Sequence, residues 1–373
     1  MRSKYLILVV VSLLLAIALA ACGAAAPTQA PAAPTAAPTK APEPTKAPEP
    51  TMAPEATQAP AATGALGGMK IALLTSGPIN DDGWNQTAYE GLKALEKEGA
   101  VIANTENVAQ ADQVDLIRNY ADQGFNIIIG HGFEYGDALT QAAKEFPDVK
   151  FIQIGGIAEN PGNLVSYVFQ AGEGGYAAGI LAGLMAKDGK LGGVGAMEIP
   201  TIAADFNAFK QAAMAVNPNV KDVPVSYTGS WVDIPKAKEA ALAQIDGGVK
   251  LILANGDNAN VGAIDAAKGK GDVWVIGWTR DQSHLAPGLV LTSNQQRVDN
   301  ILTEAIAQIQ AGTIEWKNHT VGFADKAQTF APYAEVVPQA VQDEVNKVIQ
   351  ALVDGKIVLD ADGNVVTDTY HKK

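Results

Sequence analysis

One cysteine, four histidines and 27 basic residues against 40 acidic ones are the scarcities that limit what this 373-residue chain can be. A lone cysteine, Cys22, cannot form an intramolecular disulfide, and its place near the start leaves no thiol for chemistry in the folded body. The histidines (His131, His284, His319, His371) are scattered, with no HExxH pair and no cysteine partner for zinc, so no metal site is expected. A formal net charge of -13 leaves no basic footprint, which argues against nucleic acid and anionic membrane surfaces as partners. Neither a GxSxG elbow nor a GxxxxGKS/T loop is present, so no acyl-transfer hydrolase or P-loop ATPase is indicated. Gly192-Gly-Val-Gly195 follows a strand pattern as a dinucleotide loop does, but it lacks the third glycine and the acidic residue; a tightly packed strand end is expected, and no cofactor.

Long apolar runs are also missing, except at the start. Arg2 and Lys4 precede an apolar stretch from Tyr5 to Leu19, which ends in Leu19-Ala-Ala-Cys22. This is the plan of a signal peptide, residues 1–22, too short to span a bilayer comfortably. Residues 23–66 are rich in Ala, Pro and Thr and repeat TKAPEP at 39–44 and 45–50. Regular proline keeps such a segment extended and without a core, so it is expected to act as a disordered tether.

What the chain does have is a globular part with 47% hydrophobic residues over the whole sequence, enough for two domains. It opens with KIALLTSGPINDDGWNQTAYEG, residues 70–91: an apolar strand, a polar loop, then a helical pattern at Ala88, Leu92 and Leu95. Strand and helix signals then alternate to Phe169, and start again after Gly172-Glu-Gly-Gly. Two such series predict two α/β lobes with parallel sheets covered by helices. Ligands in such folds bind at the carboxyl ends of strands, which singles out loop residues there. Trp84 with Asn80, Asp82 and Asn85 comes from the first lobe, Trp231 with Asp233 from the second. Phe133, Trp278, Asn255 and Asp257 follow other strands. Asn80 and Asp82 also suit a helix cap, as does Asp233. Phe133 also suits packing, and Asn255-Gly256 an ordinary turn. Asp360-Ala-Asp-Gly363 has its glycine in the wrong place for a calcium loop and reads as the turn of a terminal hairpin.

Asn80-Asp-Asp-Gly-Trp-Asn-Gln86 resembles the opening signature of the basic membrane lipoprotein family, the purine-nucleoside-receptor-like substrate-binding proteins of ABC importers. The similarity continues through Gly132-Phe133, Glu173 with Gly179, Gly229-Ser-Trp-Val-Asp233, Gly277 with Asp281-Gln282, and Leu291-Thr-Ser293. It implies the two-lobed type I periplasmic-binding fold with a three-crossover hinge. One lobe then comprises residues 67–171 plus 289–323, the other 172–288 plus 324–373. It further implies no catalysis and an importer permease as partner; Leu19-Ala-Ala-Cys22 resembles a bacterial lipobox, which implies a lipid on Cys22 as the only membrane attachment. A purine base or nucleoside would lie between Trp84 and Trp231, with Asn85 and Asn80 or Asp82 on its edge. Nucleoside-binding members carry Asp where this chain has Gly155, Asp where it has Thr279, and Lys where it has Gln296. Loss of these ribose contacts implies a free base rather than a nucleoside. A different aromatic or sugar-like solute, a surface sensor or adhesin, and a nucleoside hydrolase or transferase are the alternatives.

Overall fold

The structure, a computed structural model, describes residues 64–371. The signal peptide, Cys22 and tether residues 23–63 lie outside the described residues; residues 64–66, expected in the tether, belong to the folded body instead, because Leu66 is buried in the first lobe's core and its N–H donates to the Glu98 carbonyl at 3.1 Å. Among the described residues no helix is long and apolar enough to cross a membrane.

The first strand, β1 (Lys70–Thr75), is buried along both faces from Ile71 onward, which is why its sequence is a continuous apolar run. It leads into α1 (Trp84–Lys97) and β2 (Val101–Thr105), then α2 (Gln113–Asp122), β3 (Ile127–His131), α3 (Gly136–Glu145), β4 (Lys150–Ile154) and β5 (Leu164–Phe169). The chain crosses to a second body with α4 (Glu173–Met185), β6 (Leu191–Gly195), α5 (Pro200–Val216), β7 (Val225–Tyr227), α6 (Ile234–Asp246), β8 (Leu251–Asn255), α7 (Asn260–Lys270), β9 (Trp274–Thr279) and β10 (Val290–Gln296). It returns for α8 (Val298–Ala311) and β11 (Asn318–Val321), and crosses a third time to β12 (Gln328–Phe330), α9 (Gln339–Val353) and the hairpin β13 (Ile357–Leu359) to β14 (Val365–Asp368).

One sheet has the order β11-β5-β4-β3-β1-β2 and is parallel throughout. The other has the order β12-β10-β9-β8-β6-β7, with only β12 antiparallel. The crossovers are therefore residues 170–172, Arg297 and 322–327. This corrects the expected boundary at residue 289. β10 stays in the second sheet, with Ser293 opposite Gly277 on β9, and the chain leaves that lobe only after Gln296. Periodicity marks 290–296 as a strand but carries no information on its neighbour. A strand that follows its predecessor by a short loop pairs beside it more often than not.

α4 is apolar all round because it is enclosed by α5, α9 and the core. Gly175, Gly179 and Gly183 recur every four residues on one face. A Cβ at Gly179 would stand 2.3 Å from the Phe209 carbonyl oxygen, and one at Gly175 would stand 2.1 Å from that of Asp205. The missing side chains let α5 pack directly on α4, and so hold Asp205 toward the space between the lobes.

Candidate ligand cleft

Between the lobes lies a cavity of about 550 Å³, with most of its lining apolar. That is within the usual range for small-molecule sites. Its walls are loops at the carboxyl ends of strands in both sheets, as the open α/β arrangement requires.

Trp84 is the first residue of α1. Asp81 sets that helix start: its buried carboxylate accepts from the backbone N–H groups of Gly83 (2.9 Å), Asn85 (3.0 Å) and Gln86 (3.0 Å) and from Asn85 Nδ2 (2.7 Å). The capping role foreseen for Asn80 or Asp82 thus falls to the residue between them. The Trp84 indole stacks on His131, with centroids 4.0 Å apart and planes 23° apart, and meets the Phe169 ring edge-on at 6.0 Å. His131 is fully buried, and burial pushes its pKa down to about 3, so the ring is neutral; its Nε2 donates to the Trp84 carbonyl at 2.9 Å. The histidine is a platform that fixes the indole.

The structure brings Trp84, Asn85, Phe133, Trp231, Asn255, Asp257 and Trp278 to the cavity wall. Trp84 and Trp231 belong to opposite lobes. Phe133 is 62% exposed at the mouth, whereas Trp278 is 4% exposed and mostly packed into the second lobe's core. Three expected residues do not line the cavity. Asn80 is exposed. Asp82 turns to Arg280 and His284 of the other lobe. Asp233 accepts from Lys236 N–H at 3.0 Å and caps α6. All three lie in the right loops, but loop membership does not fix the direction of a side chain.

Gly155, at the end of β4, has φ +83°, and a Cβ there would stand 2.9 Å from Trp84 Cζ2. The indole therefore occupies the space into which a longer side chain at 155 would project. Across the cleft Thr279 is held at φ +74°, with its buried Oγ1 unpaired. For a β-branched residue that backbone conformation is strained by about 1 to 3 kcal/mol, and such strain gathers at ligand sites.

Sequence reasoning missed Phe169, Met197, Ile199 and Asp205, all on the cavity wall. Phe169 ends β5, and Met197 and Ile199 follow β6, so these three were within reach of the topological rule. Asp205 sits inside α5, where no motif marks it. It accepts from Gly172 N–H (2.9 Å) in the first crossover and from Asn255 Nδ2 (3.1 Å), and burial pushes its pKa up to about 7. In the unfolded chain the group titrates near 3.8, so the stability it allows is complete below that pH and is lost as pH rises through about 7. Thermal melts of the wild type should decline between about pH 4 and 7, and Asp205→Asn should flatten that decline. Equal pH slopes for the two proteins would count against a buried, titrating Asp205.

The family described as ABC transporter substrate-binding protein, PnrA-like, matches residues 69–362. A purine-binding protein of Brucella abortus is 30% identical over 288 residues, covering 76% of this chain and 79% of its own. The transcriptional activator protein Med of Bacillus subtilis is 27% identical over 283 residues, covering 75% and 87%. Among solved structures, an ABC transporter solute-binding protein from Conexibacter woesei superimposes with a TM-score of 0.68 at 27% identity, covering 79% of this chain and 99% of its own. The fold is thus that of type I periplasmic binding proteins, and the matching family is one of solute-binding proteins rather than enzymes. With two parallel-sheet lobes, three crossovers and an aromatic-lined cleft between them, this chain belongs to the PnrA-like family of ABC transporter substrate-binding proteins.

Proposed function

We propose that the protein captures a purine between Trp84 and Trp231 and presents the closed form to an importer permease, outside the cytoplasmic membrane and tethered by a lipid on Cys22. A flat heteroaromatic ring suits two indole faces on opposite lobes, and stacking of a base on an aromatic side chain contributes roughly 1 to 3 kcal/mol. The purine-binding relative in Brucella abortus supports the ligand class. Asn85 and Asp257 are the polar groups beside the indole that can read the ring edge.

The observation that carries a preference for the free base is the indole of Trp84 over Gly155. A ribose entering that space meets the aromatic edge, where the family's nucleoside-binding members offer a carboxylate. Hydroxyls buried there without partners cost on the order of 1 to 3 kcal/mol each. A second reading, a nucleoside whose sugar reaches the hinge end, is favoured by the unpaired Thr279 hydroxyl and by Gln170 and Gln296 on that wall. Isothermal titration with adenine, hypoxanthine and guanine against their nucleosides separates the two. The free bases are expected to bind at least tenfold more tightly; preference for the nucleosides overturns the first reading, and binding of neither class overturns both.

A further inference from the structure

The lobes also touch outside the cavity, along its rim, through side chains that do not reach the ligand space. Arg280, just after β9 in the second lobe, forks between two carboxylates of the first lobe. Its Nη1 donates to Asp82 Oδ1, and its Nη2 donates to Glu90 Oε1 at 3.0 Å. The Arg280 and Asp82 side chains are only 22% and 19% exposed. His284 Nε2, from the second lobe, lies 3.2 Å from the other Asp82 oxygen. Beside this cluster Asn258 Nδ2 donates to the Asp81 carbonyl, and Gln282 Nε2 donates to that of Asp82 at 3.2 Å.

The charges around this rim oppose closure. The first lobe brings Asp81, Asp82 and Glu90 there, and the second brings Asp257, in a protein whose formal net charge is -13. Arg280 places a permanent cation among these carboxylates, and its planar fork serves two of them at once. The attraction replaces a repulsion, in a partly buried setting that salt screens only in part.

We propose that Arg280 is a positioning residue that draws the lobes together by itself, so that the closed arrangement is already populated before the ligand enters. The ligand then has less of the open-to-closed equilibrium to shift, and that equilibrium sets its apparent affinity. The device works from the rim, so it is independent of which solute occupies the cleft.

The test needs no ligand and therefore stands apart from the purine reading. Spin labels at Lys97→Cys in α1 and Glu239→Cys in α6, in the full chain carrying Cys22→Ser, report the interlobe distance by pulsed electron resonance. The ligand-free protein is expected to show a major short-distance population at low salt. Arg280→Gln should lower the closed-to-open ratio by about tenfold, and apparent affinity should fall by the smaller factor by which the closed fraction itself drops. Asp82→Asn, made in the other lobe, should move the distribution the same way, and Arg280→Lys should lie between Gln and wild type because it cannot fork. Raising the salt should open the wild type but not Arg280→Gln, in which only the carboxylate repulsion is left to be screened. Thermal melts establish that each variant is folded, and Asp82→Asn keeps the test decisive if Arg280→Gln is not. Distance distributions identical across folded variants, or a ligand-free wild type that is wholly open, would overturn the proposal.

Discussion

Trp84→Ala should weaken purine binding by roughly 5- to 150-fold, the equivalent of one lost stacking face at 1 to 3 kcal/mol. The indole does two jobs in this account: one face is held by His131, and the rest of the ring fills the space above Gly155. Truncation removes both, so selectivity should change along with affinity. Trp84→Phe separates the two roles. It keeps an aromatic face toward the cleft and withdraws the outer ring from Gly155, so nucleosides should gain on free bases relative to wild type. Trp231→Ala should lose a similar factor in affinity with little change in selectivity, since Trp231 enters from the other lobe and does not reach Gly155. Titration of each variant with the same base and nucleoside pair reads both quantities. An unchanged affinity in both alanine variants sinks the sandwich.

Affinity for a purine that stays neutral over the working range is expected to fall as pH rises above the ordinary carboxylate range, by at most about tenfold per pH unit for one proton. Asp257 is the cause. Its carboxylate, in the second lobe, accepts the Trp84 N–H of the first and is buried where the two lobes meet. Burial, and then the neighbouring charge of Asp81, push its pKa well above the usual value. A raised pKa in the closed form means that closure takes up a proton, and the closed form loses stability as pH climbs through that raised value. Asp257→Asn keeps the shape, removes the titration and should flatten the profile. A pH-independent wild type, or an Asn variant with the wild-type slope, contradicts this assignment. The groups facing Asp257 include Asp81 and the more distant Arg280 cluster, so the profile should be measured at fixed ionic strength.

The main lines of this architecture were legible because apolar strands, turn residues and helical periodicity alternate twice along the chain. The place of Trp84 and Trp231 on the cavity wall was legible for the same reason: each follows a strand end, where the cavity lies. The destination of β10 was not legible, since Val290–Gln296 reads as a strand whichever sheet it joins. Side-chain direction was the other blind spot. Asn80, Asp81 and Asp82 are adjacent in one polar loop, yet one is exposed, one is buried as a cap and one crosses to Arg280. Only the backbone of the folded loop, with Asp82 at φ +55°, decides among them. Asp205 was hidden in a helix whose packing depends on glycines thirty residues away, a relation that no local pattern carries.

The most direct test of the central claim is native mass spectrometry of the protein as purified from cells, followed by denaturation and identification of the released small molecule. The account predicts a free purine base, held one per chain. A released nucleoside would keep the purine cleft but contradict the role given to Trp84 over Gly155, and a solute with no purine ring would contradict the claim itself.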